Sequence, residues 1–422
     1  MNISVVGAGY VGLVTAAGLA HLQHTVRVGE ADPARVALLK GGEVPIFEAG
    51  LPELLAEART AGRISFHNSN RDAVTGADLV FLCLPTPPDA NGRADLQFIE
   101  GVVDDLALVV GPDIILVIKS TVPPGTTVSL HKRLADLGSG ARLVVHPEFL
   151  REGTAVEDFL HPDRIVVGAF DKDDASRVSS LYDALNARVV TTDPTSAEMI
   201  KYASNSYLAA RLTFANALAN LSEVVGADIL DVLLGVGLDH RIGPHFLKPG
   251  PGYGGSCFPK DTIALIEVAR DAGYDFRLLR AVIEADEDQR QRIATKVRNA
   301  VGGDLAGRTV ALWGLAFKAG TDDVRESPAT RIARILIDDG ARVMAFDPEA
   351  TVPGIPSAAS PLAAVDGADA LLIATEWPQF SEVDLNEVRA RMRGRAVVDA
   401  RNLLDPGIVR GAGLEYYGLG RS

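Results

Sequence analysis

The sequence predicts an α/β chain in which two doubly wound sheets are joined by a helical middle. Three observations predict it. In the first half, short β-branched runs alternate with amphipathic segments, the pattern of strands linked by crossover helices. Strand signals then vanish from about residue 196 to 300, where apolar residues recur at intervals of three and four. From residue 309 the alternation returns. The expected division is 1–195 for the first sheet domain, 196–300 for the helical part and 301–422 for the second sheet domain.

Taken in order, strands are expected at residues 3–6, 25–28, 79–84, 114–119, 143–146 and 164–167, paired in parallel. A helix is expected from near Ser196, with neither Pro nor Gly before Gly226. The Gly/Pro-rich stretch 243–255 reads as a loop, and helical patterning resumes at Asp261. This helical middle reads as a spine and a dimer surface. Beyond it, strands are expected at 309–313, 342–346, 370–374 and 396–398. Ser327-Pro328 reads as an N-cap followed by proline at the first helical position.

The chain has 422 residues, 47% hydrophobic and 23% charged, enough to bury several cores. Its two cysteines, Cys83 and Cys257, exclude a disulfide scaffold and a multi-cysteine zinc site and suit a reducing cytoplasm. The eight histidines show no metal-ligand spacing, so no metal is expected. The longest apolar stretch, near 106–118, is broken by Gly111, Pro112 and Asp113 and is too short and polar to span a bilayer. A formal charge of −14 argues against nucleic acid as a partner. An anionic ligand would need a local cluster of Lys and Arg.

Gly7-Ala8-Gly9-Tyr10-Val11-Gly12 follows a strand and opens a helix. Such glycines permit a tight turn, close approach of a pyrophosphate and close helix–strand packing. Glu30 ends the second strand about twenty residues on, where a carboxylate accepts hydrogen bonds from ribose hydroxyls and repels a 2′-phosphate. The expected cofactor is NAD rather than NADP; the alternative is a glycine turn without a ligand. Thr86 and Thr121 stand in loops after later strands, where ligands of such sheets bind, but ordinary turn chemistry accounts for them equally well.

Cys257 follows Gly254-Gly255-Ser256 and precedes a helix and Lys260. A thiolate is favoured near helix N-termini and cations. Cys83 lies inside an apolar strand and reads as a buried small hydrophobe. Lys201 and Asn205 are one helical turn apart and share a face. That face either stabilises an oxyanion formed by thiolate attack on an aldehyde or is simply solvated. Residues 147–153, Pro-Glu-Phe-Leu-Arg-Glu-Gly, carry two carboxylates after a strand end, and one can activate water as a general base.

GAGYVG, KSTVPPGT, HPEFLREG, SAEMIKYASNSYLA, RIGPHFLKPGPGYGGSCFPKD, GLAFKAGTDDVRESP, TEWPQF and DARNLLDP stand in one order over nearly the whole chain. In this the sequence resembles the UDP-glucose/GDP-mannose dehydrogenase family. The resemblance implies Rossmann-like sheets and a two-step oxidation of a nucleotide sugar to the acid. Cys257 would be the nucleophile. Lys201 and Asp261 would handle the alcohol proton, with Asn205 and Thr121 placing its oxygen and water, and Glu148 would serve thioester hydrolysis. Phe149, Leu150, Arg151 and Glu152 would line the substrate site with Phe246, Leu247, Lys248, Tyr253 and Gly254. Arg35, Lys260, Arg325, Thr86 and Glu152 would lie near NAD. Lys318 and Arg401 would hold the uridine diphosphate, and Arg241 would reach the substrate of the other subunit of a homodimer. Lys201, Arg241, Lys318 and Arg401 would then form the local positive cluster.

After the strand at 309–313 comes Gly314-Leu315-Ala316-Phe317-Lys318, without three spaced glycines, so a second NAD is not expected there. Within the family, TEWPQF and FLKPGPGYGGSCFPKD look most like the UDP-glucose branch. GDP-mannose, UDP-N-acetylmannosamine and UDP-N-acetylglucosamine are the rival substrates. A one-step hydroxyacid dehydrogenase would need no Cys257 loop, and a non-catalytic nucleotide-sugar sensor would have no use for Cys257, Lys201 and Asp261 together.

Overall fold

A computed structural model describes residues 1–421. Residues 1–204 with 263–272 form one compact unit, and residues 205–262 with 273–422 form another. Two of the three boundaries fall within the Pro194–Val225 and Phe258–Asp271 helices, and the third lies just past Asp271.

The first unit holds an eight-stranded sheet of β1 (Asn2–Val6), β2 (Thr25–Gly29), β3 (Ile64–His67), β4 (Leu79–Leu82), β5 (Ile115–Ile118), β6 (Arg142–Val145), β7 (Ile165–Ala169) and β8 (Val189–Thr192), ordered β3-β2-β1-β4-β5-β6-β7-β8. Its central strands are apolar on both faces. Ile3, Val5, Leu79 and Phe81 join one core, while Val6, Val80 and Leu82 join the other, as expected where helices cover both sides. The order reverses between β1 and β4, and a ligand of such a sheet binds at that crevice. Pairing is parallel except between β6 and β7, which run antiparallel. The expectation of a wholly parallel sheet is corrected there. Strand direction is set by the connection between strands, which leaves no mark in a local apolar run.

The second unit holds a five-stranded parallel sheet of β9 (Thr309–Trp313), β10 (Arg342–Phe346), β11 (Ala370–Ile373), β12 (Ala396–Asp399) and β13 (Glu415–Gly418), ordered β10-β9-β11-β12-β13. Its core continues from Trp313 and Phe380 into Ile293 and Val297 of the Arg277–Ala300 helix. Ser327 does sit at the N-cap of the Pro328–Asp338 helix, but its side chain makes no capping bond. Its Oγ donates to Leu315 O instead (2.6 Å). Among the described residues no helix is long and apolar enough to cross a membrane, and no cluster of metal-ligating side chains occurs.

Candidate active site

In the first unit the turn after β1 is shaped for a close ligand. Gly7 has φ +100°, its N–H donates to Gly29 O (2.8 Å), and a Cβ there would lie 2.5 Å from Cys83 O. A Cβ on Gly12 would overlap Gly7 O, so only glycine lets the Tyr10–His21 helix pack this tightly. At Gly9 a Cβ would meet no protein atom within 4 Å, and no side chain caps the helix that starts there. Free space beside uncapped helix N–H groups suits a pyrophosphate. Glu30 braces this turn: Oε2 accepts from Ala8 N–H and Oε1 from Asp32 N–H, both at 2.9 Å. Each carboxylate oxygen keeps a second lone pair for a ribose hydroxyl. Arg35 donates to Ala8 O (3.1 Å), which brings a cation to the turn. These residues fit a dinucleotide.

Sequence reasoning passed over Glu48. It is buried, accepts from Tyr10 Oη, and takes the N–H groups of Gly153 (2.6 Å) and Ala155 (2.7 Å). Burial, followed by this carboxylate, raises the Tyr10 phenol well above its ordinary value. One carboxylate thus ties the glycine turn to the end of the 148–152 segment. Its partners stand 38 to 107 residues away in sequence, so no local motif marks it.

Lys201 and Glu148 form a buried ion pair at 2.8 Å, with Lys201 only 3% exposed. This excludes the solvated-face reading for Lys201. Burial alone would raise the Glu148 carboxyl, but Lys201 and the Leu150 N–H (2.5 Å) carry it below its ordinary value. Phe149 lies beneath Arg164, whose guanidinium is 3.6 Å from the ring centroid, and Lys201 Nζ is 5.4 Å from the same centroid. Arg151 is drawn to Asp158 (2.5 Å). Behind Glu148, buried His146 passes Nδ1–H to Val166 O (2.7 Å), leaving Nε2 to accept from Lys119 and Tyr182, each at 3.0 Å. Burial lowers Lys119 to about 8. Thr86 Oγ1 donates to Thr121 O (2.9 Å), joining the two loops noted in the sequence. Cys83 is sealed, and burial pushes its thiol up to about 12.

In the second unit Cys257 immediately precedes the Phe258–Asp271 helix, a few residues earlier than the patterning suggested, and its C=O accepts Asp261 N–H (2.9 Å). Cys257 Sγ lies 3.5 Å from Ser256 Oγ. Asp261 is 0% exposed. Its Oδ2 accepts from Asn205 Nδ2 (2.6 Å) and its Oδ1 from Lys260 Nζ (2.5 Å). Gly255 (φ +80°) donates its N–H to Arg325 O (3.1 Å), and a Cβ there would press on the Phe317 ring. Gly254 is equally crowded, against Glu326 O. The loop bearing Cys257 is therefore glycine-rich by packing as well as by conformation.

Arg401 closes on the same loop, since a Cβ on Gly250 would lie 3.0 Å from Arg401 Nη1. Arg401 also donates to Ala374 O (2.9 Å) and Phe317 O (3.0 Å) and pairs with Glu376 (2.8 Å). Lys318 Nζ stands 5.6 Å from the Phe317 centroid. Arg325 pairs with Asp323 (2.8 Å). Phe246 occupies the left-handed region at φ +57°, a strained conformation for an aromatic residue. Its ring packs 6.2 Å from Phe258. Leu247 and Tyr253 are buried, whereas Lys248 is exposed. Arg241 is exposed and held by Asp239 (2.6 Å). The second unit thus gathers Asn205, Cys257, Asp261, Lys318 and Arg401 around one loop system, while Arg241 projects into solvent.

Models of the UDP-glucose/GDP-mannose dehydrogenase family match three segments: its NAD binding domain at residues 1–186, its central domain at 195–288 and its UDP binding domain at 311–406. A UDP-glucose 6-dehydrogenase of Rickettsia conorii is 40% identical over 433 residues, covering 100% of this chain and 99% of the relative. A solved UDP-glucose dehydrogenase from the archaeon Pyrobaculum islandicum superposes with a TM-score of 0.92 at 40% identity, covering 100% of this chain and 98% of that one. A UDP-D-ManNAc dehydrogenase from Pyrococcus horikoshii gives a TM-score of 0.91 at 27% identity, covering 100% and 99%.

Proposed function

The chain belongs to the UDP-glucose/GDP-mannose dehydrogenase family, and from that premise we propose that it is a UDP-glucose 6-dehydrogenase working through a covalent intermediate on Cys257. It is an NAD-dependent nucleotide-sugar dehydrogenase. The observation that carries the covalent reading is Cys257 at the head of a helix, on a glycine loop, beside the buried Asn205–Asp261 pair. The identity of 40% to UDP-glucose enzymes against 27% to a UDP-D-ManNAc enzyme favours glucose. The two solved folds superpose almost equally well, so backbone shape does not choose the sugar.

NAD, when bound at the Gly7–Gly12 turn, supplies the hydride acceptor for each oxidation. The protein supplies the rest. Asp261 receives the proton of the C6 hydroxyl, directly or through water, as it becomes an aldehyde, while the Lys201 ammonium donates to the oxygen. The Cys257 thiolate adds to the aldehyde carbon and the carbonyl oxygen takes up a proton, giving a thiohemiacetal. Lys201 and Asn205 stabilise the oxyanion passed through, an effect worth about 3–4 kcal/mol per donor. Loss of a second hydride and a proton leaves a thioester. Water, positioned or deprotonated by Glu148, then releases the acid and returns the thiol. The covalent bond keeps the aldehyde from escaping between the two oxidations. Lys318 and Arg401 hold the diphosphate. Thr121 helps place the reacting oxygen.

A homodimer is part of this proposal. Tyr207, Phe214 and Leu221 recur every seven residues along the Pro194–Val225 helix and are exposed, which supports an apolar seam for a second copy. Arg241 would serve that copy's substrate. The division into 1–195, 196–300 and 301–422 and a cytoplasmic setting complete the reading; a chain of 422 residues with only two cysteines agrees with a reducing compartment.

The test is NADH release on adding UDP-glucose, with its stoichiometry. Two NADH per sugar are expected for the wild type, and Cys257→Ser should yield no free acid. Acid formation at the wild-type rate in Cys257→Ser would end the covalent reading. Faster turnover of GDP-mannose or an N-acetylated UDP-sugar would move the substrate.

A further inference from the structure

Just before Cys257 the chain passes through residues 250–253 without helix or strand. Side chains satisfy the backbone there. Gly250 N–H donates to Asn216 Oδ1 (2.8 Å), and Gly250 O accepts from Gln289 Nε2 (3.0 Å). Tyr253 N–H donates to Asp286 Oδ1 (2.9 Å), and Tyr253 O accepts from Arg290 Nη2 (3.1 Å). Asn220 Nδ2 donates to Gln289 Oε1 (2.9 Å), and Arg290 also pairs with Asp286. Asp286, Gln289 and Arg290 are spaced i, i+3, i+4 on the Arg277–Ala300 helix, so they form one face. Asn216 and Asn220 are i, i+4 on the Pro194–Val225 helix. The fit is close: Gly252 has φ +119°, and a Cβ on it would lie 2.8 Å from Asp286 Oδ1.

Asp286, Gln289, Arg290 and Asn216 are all buried. A buried polar set of this size is costly unless its members are satisfied, and within this set Arg290 Nε alone is buried without a hydrogen-bond partner. Apolar packing would hold a mere connection at least as well. What the polar set adds is direction, because each bond fixes one backbone group four to seven residues ahead of the thiol. We propose that Asp286, Gln289 and Arg290 are positioning residues that hold the Cys257 loop in its reactive geometry, with Asp286 as the ionisable lock. The proposal rests on the reading of Cys257 as nucleophile.

The groups facing Asp286 are Arg290 and Glu287 of its own helix, Arg331 of the Pro328–Asp338 helix and Tyr253 of the loop. Burial raises Asp286 to about 6 despite the pull of Arg290. The folded value thus lies above the ordinary one, so the fold binds this proton more tightly than the unfolded chain does. Ionising Asp286 as pH rises through about 6 costs stability rather than adding it. What ionisation adds is a charged partner for Arg290. The Tyr253 N–H and Arg290 both favour the ionised carboxylate, so below that pH, although the fold as a whole gains from the proton, these two bonds to Asp286 weaken and the loop is held less firmly.

The experiment compares full-length wild type with Asp286→Asn and Gln289→Glu. It follows kcat and the KM for NAD against pH, and the alkylation rate of Cys257 by iodoacetamide, read by peptide mass spectrometry. Wild-type kcat should fall below about pH 6 while the KM for NAD stays flat. Asp286→Asn should lose that inflection in both kcat and alkylation. Its kcat at pH 8 should drop about 100-fold, the cost of a misplaced reacting group, with the KM for NAD unchanged. Gln289→Glu keeps the size and loses the donor to Gly250 O, so about a tenfold drop in kcat is expected; it carries the test if Asp286→Asn does not fold. Wild-type kcat and alkylation profiles in a folded variant would overturn the proposal. Alkylation reads the loop without turnover, so a fully active Cys257→Ser enzyme would end the covalent reading while leaving the loop measurement interpretable.

Discussion

Two turns in this molecule start from the same plan and end differently. β1 runs into Gly7-Ala8-Gly9, and β9 runs into Gly314-Leu315-Ala316. In each, the first glycine takes a positive φ, +100° and +96°, and donates its N–H to the neighbouring strand, at Gly29 O and Phe346 O, both at 2.8 Å. In each, an acid just past that strand reaches back, Glu30 or Asp347. Glu30 takes one N–H of its turn, and the helix begins at once, uncapped. Asp347 takes both Leu315 N–H (2.7 Å) and Ala316 N–H (3.0 Å), and also Glu349 N–H, Ala350 N–H and Trp377 Nε1–H. Ser327 and Thr375 hydroxyls occupy the carbonyls of Leu315 and Ala316. The next helix waits until Pro328. The second turn is therefore its own ligand. A strand–glycine–acid scaffold suits an anionic ligand where it leaves helix N–H donors unsatisfied.

The comparison can be broken most severely at Asp347. Asp347→Ala strands several buried donors and should cost about 3–5 kcal/mol by chemical unfolding, while NAD affinity of the folded fraction stays unchanged. Lost NAD affinity with intact stability would reverse the roles assigned to the two turns. Glu30→Gln is the next largest: the KM for NAD should rise about tenfold, and the preference over NADP should narrow. Kinetics with both cofactors would show it, and an unchanged NAD/NADP ratio would remove Glu30 from cofactor choice. Gly9→Ala is the smallest for the fold, less than about 1 kcal/mol in melting experiments, because no protein atom awaits the new methyl. NAD binding should nonetheless weaken. Equal NAD affinity in this variant would mean that the space beside Gly9 is not where the pyrophosphate lies.

Much of this was legible beforehand. β9 and β10 fall at the expected residues because their aliphatic runs are bounded by polar residues and glycine. β3, β8 and β13 were missed. β3 alternates only over four residues, β8 is exposed, and β13 carries two tyrosines between glutamate and glycine. The turn after β1 and the loop bearing Cys257 could be read because each is written in adjacent glycines. Glu48, Asp286 and Asp347 could not, since each acts on backbone groups 30 or more residues away. A bond to distant main chain is independent of the residue type at the far end, so it leaves no motif in a sequence.

The eight-stranded sheet also ends on an exposed strand, β8, with Val189 and Val190 facing solvent. An open edge of β-branched residues invites a strand from another molecule. Here the invitation is short. The strand has four residues, Arg188 precedes it, and Asp193-Pro194 turns the chain straight into a helix. Proline offers no N–H to extend the ladder. Resistance to edge-to-edge aggregation is thus set by where the next helix begins, and a longer linker at residue 193 would weaken it.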